Sequence, residues 1–128
     1  VLDPDVRELA AGRNLGYLTT LMPGGEPQTS IVWQHADDEH ILVGTQTSRQ
    51  KYRNILADPR VTILLHDAAN PRRYIEVRGR VVATETGPPA IDLAHITFTK
   101  WTGSPTLRPA DGERVLLRLR ADRIHRKD

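Results

Sequence analysis

The chain has 128 residues and a formal charge of only +2, with 27% charged residues of both signs interspersed, so one domain is expected, burying roughly two-thirds of its unfolded surface. The absence of cysteine excludes disulfides, thiolate zinc sites and thiol catalysis. No apolar run approaches the ~20 residues of a membrane span and no charged-then-apolar signal segment opens the sequence, so a cytoplasmic protein is expected; the chain begins at Val1 rather than Met, which leaves room for residues upstream.

In chain order, Asp3 and Pro4 mark a helix start for Val6 to Ala11, ended by Gly12. Leu15, Tyr17, Thr19 and Leu21 then alternate with Gly16, Leu18 and Thr20 as a strand. Pro23-Gly24-Gly25-Glu26 reads as a hairpin turn into a second strand, Gln28 to His35. Asp37-Asp38-Glu39 turns the chain into Ile41 to Thr45. A helix from Arg49 to Ala57 follows, and Asp58-Pro59 breaks it before the strand Val61 to His66. Asn70-Pro71 precedes a long strand from Tyr74 to Thr84. Gly87-Pro88-Pro89 opens another amphipathic helix, on which Ile91, Ala94, His95 and Phe98 are expected to share a face. A last strand is expected at Arg114 to Ala121, with Val115, Leu117 and Leu119 pointing one way and Arg114, Arg118 and Arg120 the other. Six strands joined mainly by tight turns favour a small antiparallel barrel with short flanking helices over a parallel sheet.

The segment Thr45-Gln46-Thr47-Ser48-Arg49-Gln50-Lys51 stands out, because it sets hydroxyls and two cations between the end of an apolar strand and the first turn of a helix. Ser48 is in position to cap that helix, and the helix start adds partial positive charge and free N–H donors, to which Arg49 brings a planar fork and Lys51 a point charge. This is a place to hold a phosphate. An ordinary capped helix with a basic surface turn has the same local pattern.

The order of segments adds a resemblance. The hairpin, Pro27-Gln28-Thr29-Ser30-Ile31-Val32-Trp33, the strand, Thr45 to Lys51, then Arg53-Asn54-Ile55-Leu56-Ala57-Asp58-Pro59-Arg60-Val61 and the strand with Glu76-Val77-Arg78-Gly79-Arg80 resemble the split-barrel flavin-binding proteins related to pyridoxamine 5′-phosphate oxidase. The likeness covers about residues 5 to 84 and weakens from Pro88 onward. It implies a mainly β, six-stranded antiparallel split barrel and a homodimer whose cofactor lies at the interface. In flavin-phosphate members, basic residues that grip the phosphate fall where Ser30 and His35 stand here. Thr45 and Lys51 match the family, whereas Arg49 stands where the oxidases usually carry a small hydroxyl residue. This rearranged cation set looks like the branch that uses the deazaflavin coenzyme F420. The resemblance implies a ring lying along Thr29, Ser30, Ile31, Val32 and Trp33, with the phosphate held near Thr45, Thr47, Ser48, Arg49 and Lys51. Tyr74 lies where a family member sends a residue across the dimer interface toward the cofactor, and Lys100-Trp101, after the helix that Gly87-Pro88-Pro89 opens, is the alternative contribution of a partner subunit.

The residue types agree with such a site. A flavin-like ring needs an apolar shelf with backbone donors and acceptors at its edge, which Ser30 to Trp33 offers. Thr29 and Ser30 would serve equally as polar residues on a solvated strand face, Trp33 as core, and Tyr74 as an aromatic at a strand start. The five histidines show no metal-ligand spacing, and Asp37, Asp38 and Glu39 have no partner acid. No conventional catalytic side chain emerges, so catalytic residues are unassigned. The expected function is therefore a homodimeric oxidoreductase passing hydride from reduced F420 to a small unsaturated acceptor. An FMN-dependent oxidase or reductase and a non-enzymatic cofactor binder are the alternatives. Arg78, Arg80, Arg118 and Arg120 read as a solvated face rather than a nucleic-acid surface, and neither nucleic acid nor membrane is an expected partner.

Overall fold

In the computed structural model, which describes residues 1–128, Asp3 caps helix α1 (Pro4–Ala11) by accepting hydrogen bonds at Oδ1 from the N–H groups of Asp5 (2.9 Å) and Val6 (3.2 Å). Pro4 occupies the first turn, where no N–H is needed. The remaining elements are β1 (Leu15–Leu21), β2 (Pro27–Val32), β3 (Gln34–Ala36), β4 (Ile41–Gln46), α2 (Gln50–Ala57), β5 (Arg60–His66), β6 (Tyr74–Thr86), α3 (Pro88–Thr102) and β7 (Arg114–Lys127). All seven strands form one antiparallel sheet in the order β2-β1-β5-β6-β7-β4-β3.

Seven strands replace the expected six because the segment Gln28 to His35 is broken at Trp33. Its first part pairs with β1 and its second with β4, at opposite margins of the sheet. The last strand runs to Lys127 rather than ending at Ala121, since it stays paired with β6 as far as Tyr74. Two register shifts bend this long pair, after Arg78 and after Val81. Gly79 sits at the first of them, where a Cβ would lie 1.8 Å from the Arg120 carbonyl oxygen; only glycine lets the two backbones approach so closely.

The period-2 pattern of β1 places Leu18 and Thr20 inward, where they join Ile63, Leu65, Ile41, Val43 and Leu117, all essentially inaccessible to solvent. Helix α1 adds Val6, Leu9 and Ala10 to the same core, and α2 adds Ile55. A second, smaller cluster lies outside the barrel, where α3 packs Ala90 and Leu93 on Leu42 and Leu116. The buried face of α3 is therefore Ala90, Leu93, Ala94 and Thr97. This corrects the expected face, since Ile91 and His95 are exposed and Ala94 alone of the expected residues is buried. The outer wall carries a row running across five strands: Ile31, Tyr17, Leu64, Glu76 and His125 face each other in register. No helix of the chain is long and apolar enough to cross a membrane.

Candidate functional site

β3 covers β4 only from Ile41 to Val43, so Gly44, Thr45 and Gln46 pair with β7 on one side and with no strand on the other. β2 likewise has a free outer margin. The barrel wall is thus split between the end of β2 and the end of β4, and a cavity of about 250 Å3 lies at the split. Ile31, Val32 and Trp33 line one bank, Gly44, Thr45, Gln46 and Lys51 the other, and Ala90, Ala94, Thr97 and Phe98 of α3 close it together with Arg114 and Val115. Unpaired strand margins supply backbone donors and acceptors beside apolar side chains, a combination suited to a polar-edged aromatic ring.

Within the helix-start segment the side chains of Gln46, Arg49 and Gln50 are engaged by the rest of the fold, while the hydroxyls of Thr45, Thr47 and Ser48 and the Lys51 ammonium have no hydrogen-bond partner. Gln46 Oε1 accepts hydrogen bonds from the N–H groups of Asp111 (2.7 Å) and Gly112 (3.2 Å), and the Thr47 N–H donates to the Glu113 carbonyl (2.9 Å). Arg49 pairs with Asp111 at 3.4 Å on the surface, and the Ser48 carbonyl accepts from Arg53 Nη1 (2.9 Å). Lys51 enters none of the hydrogen bonds or ion pairs. It is partly buried within the cavity lining, and burial, followed by the neighbouring charge of Arg49, pushes its ammonium below the usual lysine value.

The start of α2 differs from expectation in a way that bears on the site. The helix begins at Gln50 rather than Arg49, and no side chain caps it: Ser48 packs against Gly112, whose hypothetical Cβ would lie 3.0 Å from Ser48 Oγ. The first-turn N–H groups of α2 are consequently left without a side-chain acceptor, beside a cation that has none either.

Of the sequence-predicted residues, the structure brings Ile31, Val32, Trp33, Thr45 and Lys51 to one cavity. Thr47, Ser48 and Arg49 belong to the adjoining loop. Ser30 faces inward opposite Leu18, and Thr29 faces outward, its hydroxyl 2.7 Å from that of Thr19. Tyr74 lies on the outer wall between His66 and Lys127, away from the cavity. The sequence reading missed Arg114, taken there as an outward strand arginine, and Thr97. No local signal marks them, because their place depends on how α3 lies over the β4–β7 pair.

Aromatic packing fixes the bank that carries Trp33. Its ring meets Phe98 edge-on at 5.0 Å and stacks with Trp101 at 6.2 Å, and the Arg13 guanidinium lies 4.9 Å over Trp101. Next to this cluster, Lys100 Nζ donates to the carbonyls of Ala10 (3.2 Å), Ala11 (3.3 Å) and Gln34, tying α3 to the C-terminal end of α1 and to the residue after Trp33. Burial pushes the Lys100 ammonium down to about 8. His35 is held below the usual histidine value, first by burial and then by the charge of Lys100.

A larger groove of about 580 Å3 runs between the β1–β2 turn and α2, but its polar side chains are already engaged. Asn54 Nδ2 donates to Thr20 Oγ1 (3.0 Å), Arg53 donates to Gln50 Oε1 (2.7 Å), and Arg60 pairs with Asp58 at 2.7 Å. The split in the barrel wall, with its uncommitted cation, is the better candidate.

Comparison with known proteins agrees with the geometry. The family profile described as Pyridoxamine 5'-phosphate oxidase matches residues 2–128. A solved structure described as an F420 Reductase is 34% identical, superposes with a TM-score of 0.81, and is covered over 94% of its length by 93% of this chain. A conserved hypothetical protein from Mycobacterium tuberculosis is 24% identical with a TM-score of 0.78, all of this chain covering 86% of that one. General Stress Protein 26 from Bacillus anthracis, also 24% identical, gives 0.72 over 94% of this chain and 89% of its own. The last two likenesses concern the fold. No curated protein matches the chain. A profile match along nearly the whole chain, on a split antiparallel barrel, means that this chain belongs to the pyridoxamine 5'-phosphate oxidase family of split β-barrels.

Proposed function

We propose that the protein is an F420-dependent reductase, passing hydride from the reduced deazaflavin to a small unsaturated organic acceptor. The observation that carries this reading is Lys51: a partly buried ammonium with no partner, beside an uncapped helix start, at the end of a trough lined by Ile31, Val32 and Trp33. The residues present fit a ring with a phosphate-bearing side chain. The cation and the α2 N–H groups would take the phosphate, and the free margins of β2 and β4 would take the polar edge of the ring. Support also comes from the 34%-identical F420 Reductase and from the uncharged residues at Ser30 and His35.

Bound reduced deazaflavin supplies the hydride. What the chain would supply is orientation and exclusion of water: the Trp33–Phe98 pair would hold the ring, and α3 closes one side of the cavity. A cavity of about 250 Å3 falls below the ~300–1,000 Å3 of pockets that enclose a ligand. We therefore assign the missing wall to a second copy of the chain, seated on the outer face where Ile31, 56% exposed and part of the cavity lining, stands in register with Tyr17 and Leu64. Tyr74 stands on that same face.

Fluorescence titration of the purified protein with F420 and, separately, with FMN tests the reading. Micromolar or tighter F420 binding with FMN weaker is the expected result; FMN binding without an F420 signal would refute it in favour of a flavin enzyme.

A further inference from the structure

Of the fifteen arginines, twelve are exposed; only Arg73, Arg114 and Arg118 are partly withdrawn from water. Arg73 has Asp67 at 3.1 Å, and Arg118 has Asp37 at 3.0 Å and Glu85 at 2.5 Å. Arg114 has no carboxylate. Its Nη2 donates to the Arg108 carbonyl at 2.5 Å and its guanidinium lies 5.5 Å over the Phe98 ring, which leaves donors of the fork uncommitted. It also lines the cavity at the barrel split, whose residues include two cations, Lys51 and Arg114, and no acid.

Withdrawing a guanidinium from water is unfavourable unless a charged or polar partner replaces the lost hydration. The fold supplies such a partner to the other two withdrawn arginines and only a carbonyl and a ring face to this one. The planar fork matches a carboxylate or phosphate in bidentate fashion, and Phe98 offers the guanidinium a ring face at 5.5 Å. The two cations come from different elements, Lys51 in the first turn of α2 and Arg114 at the start of β7.

We infer that Arg114 is an oxyanion-recognition residue: it takes the carboxylate or phosphate of a flat ligand lying against Trp33 and Phe98, separately from the phosphate assigned to Lys51. This deepens the reading of the same cavity as a deazaflavin site and rests on it for the role of the ligand. The anion belongs either to an acidic acceptor molecule or to a further acidic group of the cofactor.

The test uses the full chain and a probe that needs no turnover. Emission of Trp33 and Trp101 is titrated with cinnamate and with its neutral amide, in wild type, Arg114→Gln and Arg114→Lys. The acid is expected to bind ~10-fold tighter than the amide in wild type, one charge-assisted hydrogen bond's worth, and the gap to close to about twofold or less in Arg114→Gln. Arg114→Lys keeps the charge and retains part of the gap, which separates recognition from a folding defect. Equal affinities in wild type, no cinnamate binding in the millimolar range, or a gap that survives Arg114→Gln would each overturn the inference. F420 titration of the same variants identifies the source. Unchanged F420 affinity in Arg114→Gln assigns the anion to the acceptor, and a ~10-fold loss assigns it to the cofactor. Should F420 fail to bind wild type at all, the deazaflavin reading falls while the acid–amide comparison still decides the role of Arg114.

Discussion

Replacing Lys51 by Met separates two effects that usually move together. In the free protein the ammonium is partly buried, has no acceptor, and is pushed down first by desolvation and then by Arg49, so its charge opposes folding. Lys51→Met keeps most of the side-chain volume and removes that charge, and the variant is expected to melt at or above the temperature of wild type. Its affinity for F420 should nevertheless fall. A hydrogen bond to a charged group contributes ~1.5–3 kcal/mol, which corresponds to ~10- to 150-fold in Kd. The pH dependence has a definite sign. A bound phosphate stabilises the ammonium and raises its pKa, so binding takes up protons where the free group has begun to titrate. Wild-type affinity should then decline as pH rises through the depressed pKa of the free protein, below 10.5, and Lys51→Met should lose that limb. Fluorescence titrations across pH, with thermal melts of both proteins, measure all three quantities. Unchanged F420 affinity in a folded Lys51→Met protein would refute the reasoning, as would a marked drop in its melting temperature.

Gly79→Ala places a methyl group 1.8 Å from the Arg120 carbonyl oxygen, so the β6–β7 bulge must open; a loss of several degrees in melting temperature is expected, read by circular dichroism. Lys100 has a folded value of about 8 against 10.5 unfolded, so between those pH values the unfolded chain binds more protons and stability rises with pH. Partial exposure of Lys100 and its three carbonyl acceptors, which favour the ammonium, keep the gain small. Urea titrations at pH 7.5 and 10 should show it in wild type, and its persistence in Lys100→Met would contradict the assignment. Leu64→Arg puts a charge at the centre of the outer row Ile31–Tyr17–Leu64–Glu76–His125 and is expected to give a monomer by light scattering together with weakened F420 binding. A dimer of unchanged affinity would place the partner elsewhere.

Local chemistry made much of the fold legible in advance. Asp3 with Pro4, the Pro23–Glu26 turn and the Asp58-Pro59 and Asn70-Pro71 breaks each sit where the structure changes direction, because caps and φ restrictions act over a few residues. The alternation of Val115, Leu117 and Leu119 likewise identified a core face. What escaped depends on contacts far apart in sequence. The break at Trp33 interrupts an unbroken strand pattern, and only the competition of β1 and β4 for the two halves enforces it. Ser48 has the chemistry of a cap but is drawn onto Gly112, more than sixty residues away. The face of α3 was misjudged because Leu93, not Ile91, meets Leu42 and Leu116. For the candidate site, Ile31, Val32, Trp33, Thr45 and Lys51 were legible as one group, whereas Arg114 became visible only once α3 lay over its strand.

The one-residue passage at Trp33 has a mechanical consequence. Because the chain crosses there from one margin of the sheet to the other, the two banks are covalently hinged at that end, and the stacking of Trp33 on Trp101 stiffens the hinge. At the other end, beside Gln46 and the β1–β2 turn, no strand pairing joins the banks, and the tie runs through α2, where Asn54 Nδ2 donates to Thr20 Oγ1 (3.0 Å) and Gln28 Oε1 (3.3 Å). The aperture is thus a wedge with a covalent apex and a mouth held by side-chain hydrogen bonds instead of backbone pairing.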